Sequence, residues 1–487
     1  MKAKNIFCAL AAAMLLCACQ AEQPESTNSP SPAPEQTVAV EPSTPSQSES
    51  VPSKQLPPAP PVCEVEFTQT DSFPQPFEDE LLLDEERGLL LSTEQALYDY
   101  DTMWLLLEEN FPYLEAIKAE VGIDWRKVKA EYRLKLKNQA IDGYISQMDF
   151  MVTLYGCVLQ FQDFGHLYVV DNRSFYLDRL QNATDDLSKN EVNLMRNPKS
   201  DLFYSYSEQN DIRSIFSTSN GSKKRGAEAV EITDRHDITE NLITGTVGDG
   251  VPYLRIASFE PWDEKTYAKL AGFFSNISEE KHLIIDVRGN SGGSDGNWRI
   301  GIVPLLEQSE LEFNMLFSAK SGSLNLELDS KRLAGLGRGV RYTDDSWQED
   351  FPYVPPEAVA GLDTHLKVST VFKKDNTQKY FSGKIWVLID EGCYSATDAF
   401  ACFCKESGFA TLVGSTTSGN GKGGQPLFMA LPYSGLIVRY EEYLTFNSDG
   451  TYNGIRGTVP DIVVEEGQST LGVCLSAIMK ENNNTNK

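Results

Sequence analysis

Two short runs, His282–Val287 (HLIIDV) and Lys384–Asp390 (KIWVLID), are apolar at nearly every position rather than at every second one. A strand that alternates apolar with polar residues keeps one face in water. A continuous apolar run has to be covered on both faces, as in the parallel sheets of α/β proteins. The neighbouring segments agree with that constraint. Tyr253–Phe259 reads as a strand, Tyr267–Phe274 as a helix, Ala396–Glu406 as a helix with Gly408 suited to its C-cap, and Thr411–Val413 as the start of a further strand. Strand, helix and strand in series over about 248–465 predict an α/β core with a partly parallel sheet. Upstream, apolar residues recur at three- and four-residue steps through Tyr98, Met103, Leu106, Leu107 and Phe111. The pattern repeats around Trp125, Val128, Tyr132 and Leu136, and again from Phe150 to Leu159, predicting a small helical domain. The polar stretch 170–245 suggests no architecture, and the long segment between Gly293 and Lys384 is expected to form a subdomain or lid.

The N-terminus is a different material. Lys2 and Lys4 precede an apolar core, Ile6–Leu16, too short to span a membrane stably, so the segment reads as an export signal. It ends Leu16-Cys17-Ala18-Cys19, which resembles a bacterial lipobox; the resemblance implies a diacylglycerol on Cys19 and attachment to the outer face of a membrane. An ordinary secretory signal with Cys19 merely near the cut is the alternative. Residues 20–62 are rich in Pro, Ser, Thr, Glu and Gln, cannot repay their ordering entropy by burial, and are expected to be an extended tether. The Asn-rich tail Glu481–Lys487 is expected to fray. A formal charge of −27 repels phosphate backbones and argues against a nucleic-acid partner. Six cysteines lie beyond the signal and the anchor, with no CxxC pair and no HExxH, so neither a metal nor another cofactor is expected.

Three segments carry groups capable of chemistry. In Asp390-Glu-Gly-Cys-Tyr-Ser395-Ala-Thr-Asp398 a buried strand ends, a glycine permits a sharp turn and a hydroxyl stands where a helix begins. Ser395 so placed can attack a carbonyl while the Ala396 N–H holds the oxyanion. It can equally be an N-cap, with Asp398 completing a capping-box-like exchange. In Ile284-Ile-Asp-Val-Arg288-Gly-Asn-Ser-Gly-Gly293, Gly292 and Gly293 can either present further oxyanion donors or simply make a tight turn. In Gln162-Asp-Phe-Gly-His166, the histidine is a general base or an ordinary core or surface residue. Cys393 is a further candidate nucleophile.

Taken in order, IIDVRGNSGG, VLIDEGCYSATDAF, TLVGSTTSGNG and RGTVPDIVV resemble the C-terminal processing (tail-specific) serine peptidases, and the upstream DFGH is similar to a motif of their tricorn-like branch, which also shares its domain with the interphotoreceptor retinoid-binding protein modules. The resemblance covers about Ser92 to Glu466. It implies a crotonase-like (ClpP/crotonase) β/α spiral core with an N-terminal helical domain. It also implies Ser395 as nucleophile, His166 as base, Asp398 as a catalytic carboxylate, and an oxyanion hole at Gly292, Gly293 and Ala396. The chain then divides into a signal peptide (1–18), a tether (19–65), a helical domain (66–165), a linking region (166–247) and a catalytic domain (248–480) with an insertion at about 294–383.

The chain departs from that family at two places. Asn420 stands where Ser–Lys members keep a lysine, and Lys422 lies two residues beyond. The tricorn-like branch has a Glu shortly before its Gly-Val-x-Pro-Asp segment; here the stretch Tyr452–Asp461 has no carboxylate at that place, and Asn453 is the nearest polar group. Asn453 and Asn420 are accordingly candidate orienting residues. The resulting expectation is a lipid-anchored, extracytoplasmic serine endopeptidase acting on a peptide or protein substrate. The alternative is a catalytically inactive member of the fold that binds peptides or other ligands.

Overall fold

The computed structural model describes residues 82–171, 173, 176–177, 198–206, 230–239, 241–306, 310–322, 325, 339–372, 381–424 and 426–485. The signal peptide, Cys19, the tether and Cys63 lie outside them.

The chain is a mixed α/β structure around a seven-stranded sheet. Its strand order is Ile462–Val463, Thr411–Gly414, Lys384–Ile389, His282–Asp286, Val251–Ile256, Leu242–Val247 and Thr233–Asp237. The first five run parallel to one another, and the last two add antiparallel at one edge. Both apolar runs sit at the middle of the sheet, paired in register from Lys384↔His282 to Leu388↔Asp286. The helix Ala396–Ser407 covers one face with Phe400 and Phe403. The helix Thr470–Thr485 covers the other with Cys474 and Ile478. That helix runs as far as Thr485, into the tail expected to fray, and Lys384 pairs with Glu481 on it. The sheet also begins earlier than expected: strands 233–237 and 242–247 belong to it although they precede residue 248.

The insertion contributes strands Leu311–Ala319, Gly339–Tyr342 and Thr364–Phe372, which form a four-stranded sheet with Leu444–Thr445. The N-terminal unit holds the expected helices at Thr93–Asn110, Trp125–Gln139 and Gln147–Leu159, and a further short one at Leu114–Val121. It also has three strands the periodicity did not show, at Leu82–Asp84, Gly88–Ser92 and Tyr144–Ser146. They are too short to impose a period of their own. Ser92 and Gln95 close the first helix with a reciprocal capping box.

What brings the functional segments together is a shared core. Tyr100, Trp104, Phe150 and Phe161 of the helical unit pack into one buried cluster with Leu427–Leu431 and Leu436–Tyr440 of a distant hairpin. Asp99 pins that hairpin by accepting from Tyr433 N at 2.8 Å and Ser434 N at 2.7 Å. Burial raises the Asp99 carboxyl to about 6 against these hydrogen bonds and Lys199. A raised folded pKa favours the protonated native state. The stability this contributes is complete below the unfolded value near 3.8 and is lost as pH rises through about 6. Thermal unfolding of wild type and Asp99→Asn across pH 4–7 is expected to show the wild type losing up to about 3 kcal/mol relative to the variant as pH rises. A pH-independent difference would contradict this.

Candidate active site

The strand Lys384–Ile389 delivers a tight turn and then Ser395, whose backbone lies at φ 53, ψ −123. A side-chain-bearing residue holds that conformation only where its surroundings impose it. Here Ser395 N donates to Gly419 O at 3.0 Å, and Ala399 N donates to Ser395 O at 2.9 Å. The hydroxyl makes no capping bond to the helix that follows. It lies 3.2 Å from His166 Nε2. Ser395 therefore occupies the N-cap position, but its side chain does not cap the helix.

His166 arrives from the other end of the chain. After the helix Gln147–Leu159 the backbone turns through a short loop into Tyr168–Val169, which pairs with Ile437–Tyr440. The imidazole is buried and tilts against the Tyr394 ring at 5.1 Å. Its Nδ1 faces Glu441 Oε1 at 3.6 Å. Glu441, itself fully buried, accepts from the Tyr113 hydroxyl at 2.8 Å through Oε2, and its backbone N–H donates to Gly165 O at 2.7 Å. Burial and the adjacent Glu441 hold the Tyr113 hydroxyl well above its ordinary range, so it remains a donor. Gly423 lies against the same carboxylate: a Cβ there would come within 1.8 Å of Glu441 Oε1.

The glycine turn is wedged beside the serine. A Cβ on Gly292 (φ +113) would sit 3.0 Å from Ser395 Cβ and 3.2 Å from Ala396 N. The turn is anchored by Asp286, to which Arg288 donates from Nε at 3.0 Å and Nη2 at 2.7 Å. Burial opposes the charge on Asp286, but Arg288, Arg255 and the Tyr253 hydroxyl outweigh it and hold the carboxyl below the usual range. Of the three expected oxyanion donors, Gly292 is committed elsewhere, donating to Asn290 Oδ1 at 2.9 Å. The bridge between Phe259 and Gly293 runs through Gly292 O and Ser294 N, so the Gly293 N–H takes no part in it. That leaves the N–H groups of Gly293 and Ala396 as the remaining candidates of the three.

The remaining candidates have other places. Asp398 touches neither Ser395 nor His166. It accepts from Thr417 Oγ1 at 2.5 Å, Thr458 Oγ1 at 2.7 Å, Asn453 Nδ2 at 2.8 Å and Gly421 N at 3.0 Å. It ties two loops to the serine's helix, because a buried carboxylate needs this many donors to stay solvated. Asn453 is spent in the same knot: besides donating to Asp398, it accepts from Gly421 N and Lys422 N, so it does not orient the imidazole. Asn420 reaches the loop that carries His166, accepting from Gly165 N, rather than its ring. Lys422 is buried and bound to Glu406 at 2.6 Å and Phe446 O at 2.7 Å. Burial opposes its charge, yet Glu406 holds the ammonium above its ordinary range, which disqualifies it as a base. Cys393 donates to Val287 O at 3.1 Å, and burial pushes its thiol well above the range where a thiolate forms. Cys157, Cys393, Cys402, Cys404 and Cys474 are all buried free thiols.

Sequence reasoning missed Glu441 and Tyr113. A signal for Glu441 existed: Glu441-Glu442 interrupts the run Leu436–Phe446, which is apolar or aromatic apart from Arg439 and Thr445, and a carboxylate in such a run is buried with a partner or not at all. Tyr113 carries no local mark of its role.

Residues 250–464 match the model of peptidase family S41. No curated protein matches the chain. Among solved structures it is similar to a putative peptidase from Parabacteroides merdae ATCC 43184, at 17% identity over 80% of this chain and 96% of that one, with a TM-score of 0.49. Mature CPAF aligns at 15% identity over 76% and 92%, also at 0.49. A photosystem II D1 C-terminal processing protease aligns at 14% identity over 77% and 95%, at 0.36.

Proposed function

Because residues 250–464 make this chain a member of peptidase family S41 and hence a serine-type peptidase, we propose that Ser395, His166 and Glu441 are its catalytic triad. The observation that carries this reading is the alignment of Ser395 Oγ, His166 and Glu441 Oε1, at 3.2 and 3.6 Å, from three separate segments of the chain. Such contacts are often longer before substrate binds. Ser395 Oγ attacks the peptide carbonyl carbon as its proton passes to His166 Nε2. The N–H groups of Gly293 and Ala396 take the charge developing on the carbonyl oxygen. The C–N bond then breaks, the proton passes from His166 to the leaving amine, and water repeats the sequence on the acyl-enzyme. Glu441 favours the tautomer with its proton on Nδ1 and stabilises the imidazolium. It supplies the carboxylate whose absence near Asn453 motivated the binding-only alternative. The substrate is a peptide or protein.

The parallel strands around Lys384–Ile389, with helices on both faces, support a crotonase-like β/α spiral as the finer description of the core. The lipobox-like Leu16–Cys19 and the proline-rich stretch after it support an enzyme tethered by Cys19 at the extracytoplasmic face of a bacterial membrane. No helix among the described residues is long and apolar enough to cross a membrane.

Treating the purified full chain with a fluorophosphonate probe and mapping the adduct by mass spectrometry is expected to place it on Ser395. A folded chain that takes no label overturns the triad. Cys19→Ser is expected to abolish incorporation of a palmitate probe and to release the chain from the membrane fraction; persistence of both would rule out the anchor.

A further inference from the structure

The loop carrying His166 is unusual in its backbone. Gln162 (φ 53), Asp163 (φ 61), Gly165 (φ 60) and His166 (φ 51) all lie in the left-handed region, and only one of them is glycine. Side-chain-bearing residues avoid that region, so consecutive examples persist only where fixed partners over-determine them. A single buried amide supplies two of those partners and braces a third. Asn420 Oδ1 accepts from Gly165 N at 2.9 Å, and its Nδ2 donates to Asp163 O at 2.9 Å and to the Tyr394 hydroxyl at 2.8 Å. The Tyr394 hydroxyl in turn donates to Asp163 Oδ2 at 3.0 Å.

We propose that Asn420 is a positioning residue that locks the left-handed 162–166 loop and thereby sets where His166 Nε2 stands against Ser395. The inference rests on the reading of His166 as the base. Its geometry is specific to an amide. The site needs one acceptor and two donors on a short planar group, and the reversed amide would set nitrogen against the Gly165 N–H and oxygen against Asp163 O. Asp lacks the donors, Lys lacks the acceptor and Ala lacks both.

The same two-residue segment also serves the nucleophile. Gly419 O accepts from Ser395 N, while the Asn420 side chain holds the base loop and bonds to Tyr394, the residue before Ser395. Segment 419–420 therefore fixes the distance between two groups that lie 229 residues apart. Asn420 is almost fully buried and itself left-handed (φ 61), a conformation asparagine tolerates better than most residues. A Cβ on Gly454 would come within 2.6 Å of its Oδ1, so the glycine there leaves the amide its place.

The test uses the full chain labelled with 13C-histidine. It has four histidines, so the imidazole signals are few, and His166 is assigned through His166→Gln. Asn420→Ala is expected to move or broaden the His166 signal while those of His236, His282 and His365 stay in place. It should also slow fluorophosphonate labelling of Ser395 by about 100-fold, the scale expected for displacing a reactive group by about 1 Å. A residue that acts only through His166 costs nothing once His166 is gone. The double variant His166→Ala/Asn420→Ala should therefore label at the rate of His166→Ala alone. Losses that multiply in the double variant, or an unchanged His166 signal, overturn the proposal. If wild type takes no label, the peptidase reading fails, and the His166 signal alone then decides whether Asn420 positions the ring. Should Asn420→Ala disturb all four signals, Asn420→Asp takes its place, because it keeps the size and the acceptor but loses both donors.

Discussion

Ser395→Ala is expected to lower kcat/KM for peptide hydrolysis by on the order of 10⁵-fold, and His166→Ala to lower it by a comparable factor. The reason is geometric. Ser395 Oγ and His166 Nε2 are 3.2 Å apart in a site where both residues are buried. A serine hydroxyl with no proton acceptor, or an acceptor with no nucleophile, leaves the same uncatalysed attack by water. Residues that act as one unit do not contribute independently, so the double variant should be no slower than either single one. What remains is whatever Gly293, Ala396 and substrate binding provide. Steady-state kinetics on a fluorogenic peptide, with unfolding temperatures recorded for each variant, decide the matter. Hydrolysis that survives Ser395→Ala, or losses that multiply in the double variant, would assign the chemistry elsewhere.

Glu441→Gln is expected to cost on the order of 10³- to 10⁴-fold, chiefly in kcat. Glutamine matches glutamate in size and can still accept from Tyr113, so the buried packing survives. It presents an amide to His166 Nδ1, however, and can favour the tautomer that carries its proton on Nε2 and cannot accept from Ser395. Gly423→Ala offers an independent route to the same end. Its methyl would come within 1.8 Å of Glu441 Oε1, so the carboxylate must move although its charge is kept. Both variants should depress kcat far more than they raise KM. A Glu441→Gln enzyme within about tenfold of wild type would remove Glu441 from the triad and leave it a structural acid bonded to Tyr113 and packed against Gly165.

How much of this was legible follows from where each signal resides. The strands His282–Asp286 and Lys384–Ile389 are buried on both faces, so their environment is written into consecutive residues. The helix Ala396–Ser407 and its Gly408 cap are legible for the same local reason. The catalytic role for Asp398 came from the family resemblance, which implies a carboxylate three residues after Ser395. Only the neighbouring loops show that its oxygens are already filled by Thr417, Thr458, Asn453 and Gly421. Asn420 stood out as a departure from a lysine, but its meaning lies in bonds to residues 255 and 257 positions away.

By itself, then, the sequence determined the α/β class of the core, the turn that presents Ser395 and the glycines beside it, because apolar runs, helix caps and positive-φ turns are properties of a few adjacent residues. The tertiary structure alone decided that His166 meets that serine, with Glu441 behind the imidazole and Tyr113 behind Glu441. Their meeting depends on the helical unit and the 427–446 hairpin burying one common core. The partners that set this core lie hundreds of residues apart, and no local pattern records which of them will touch.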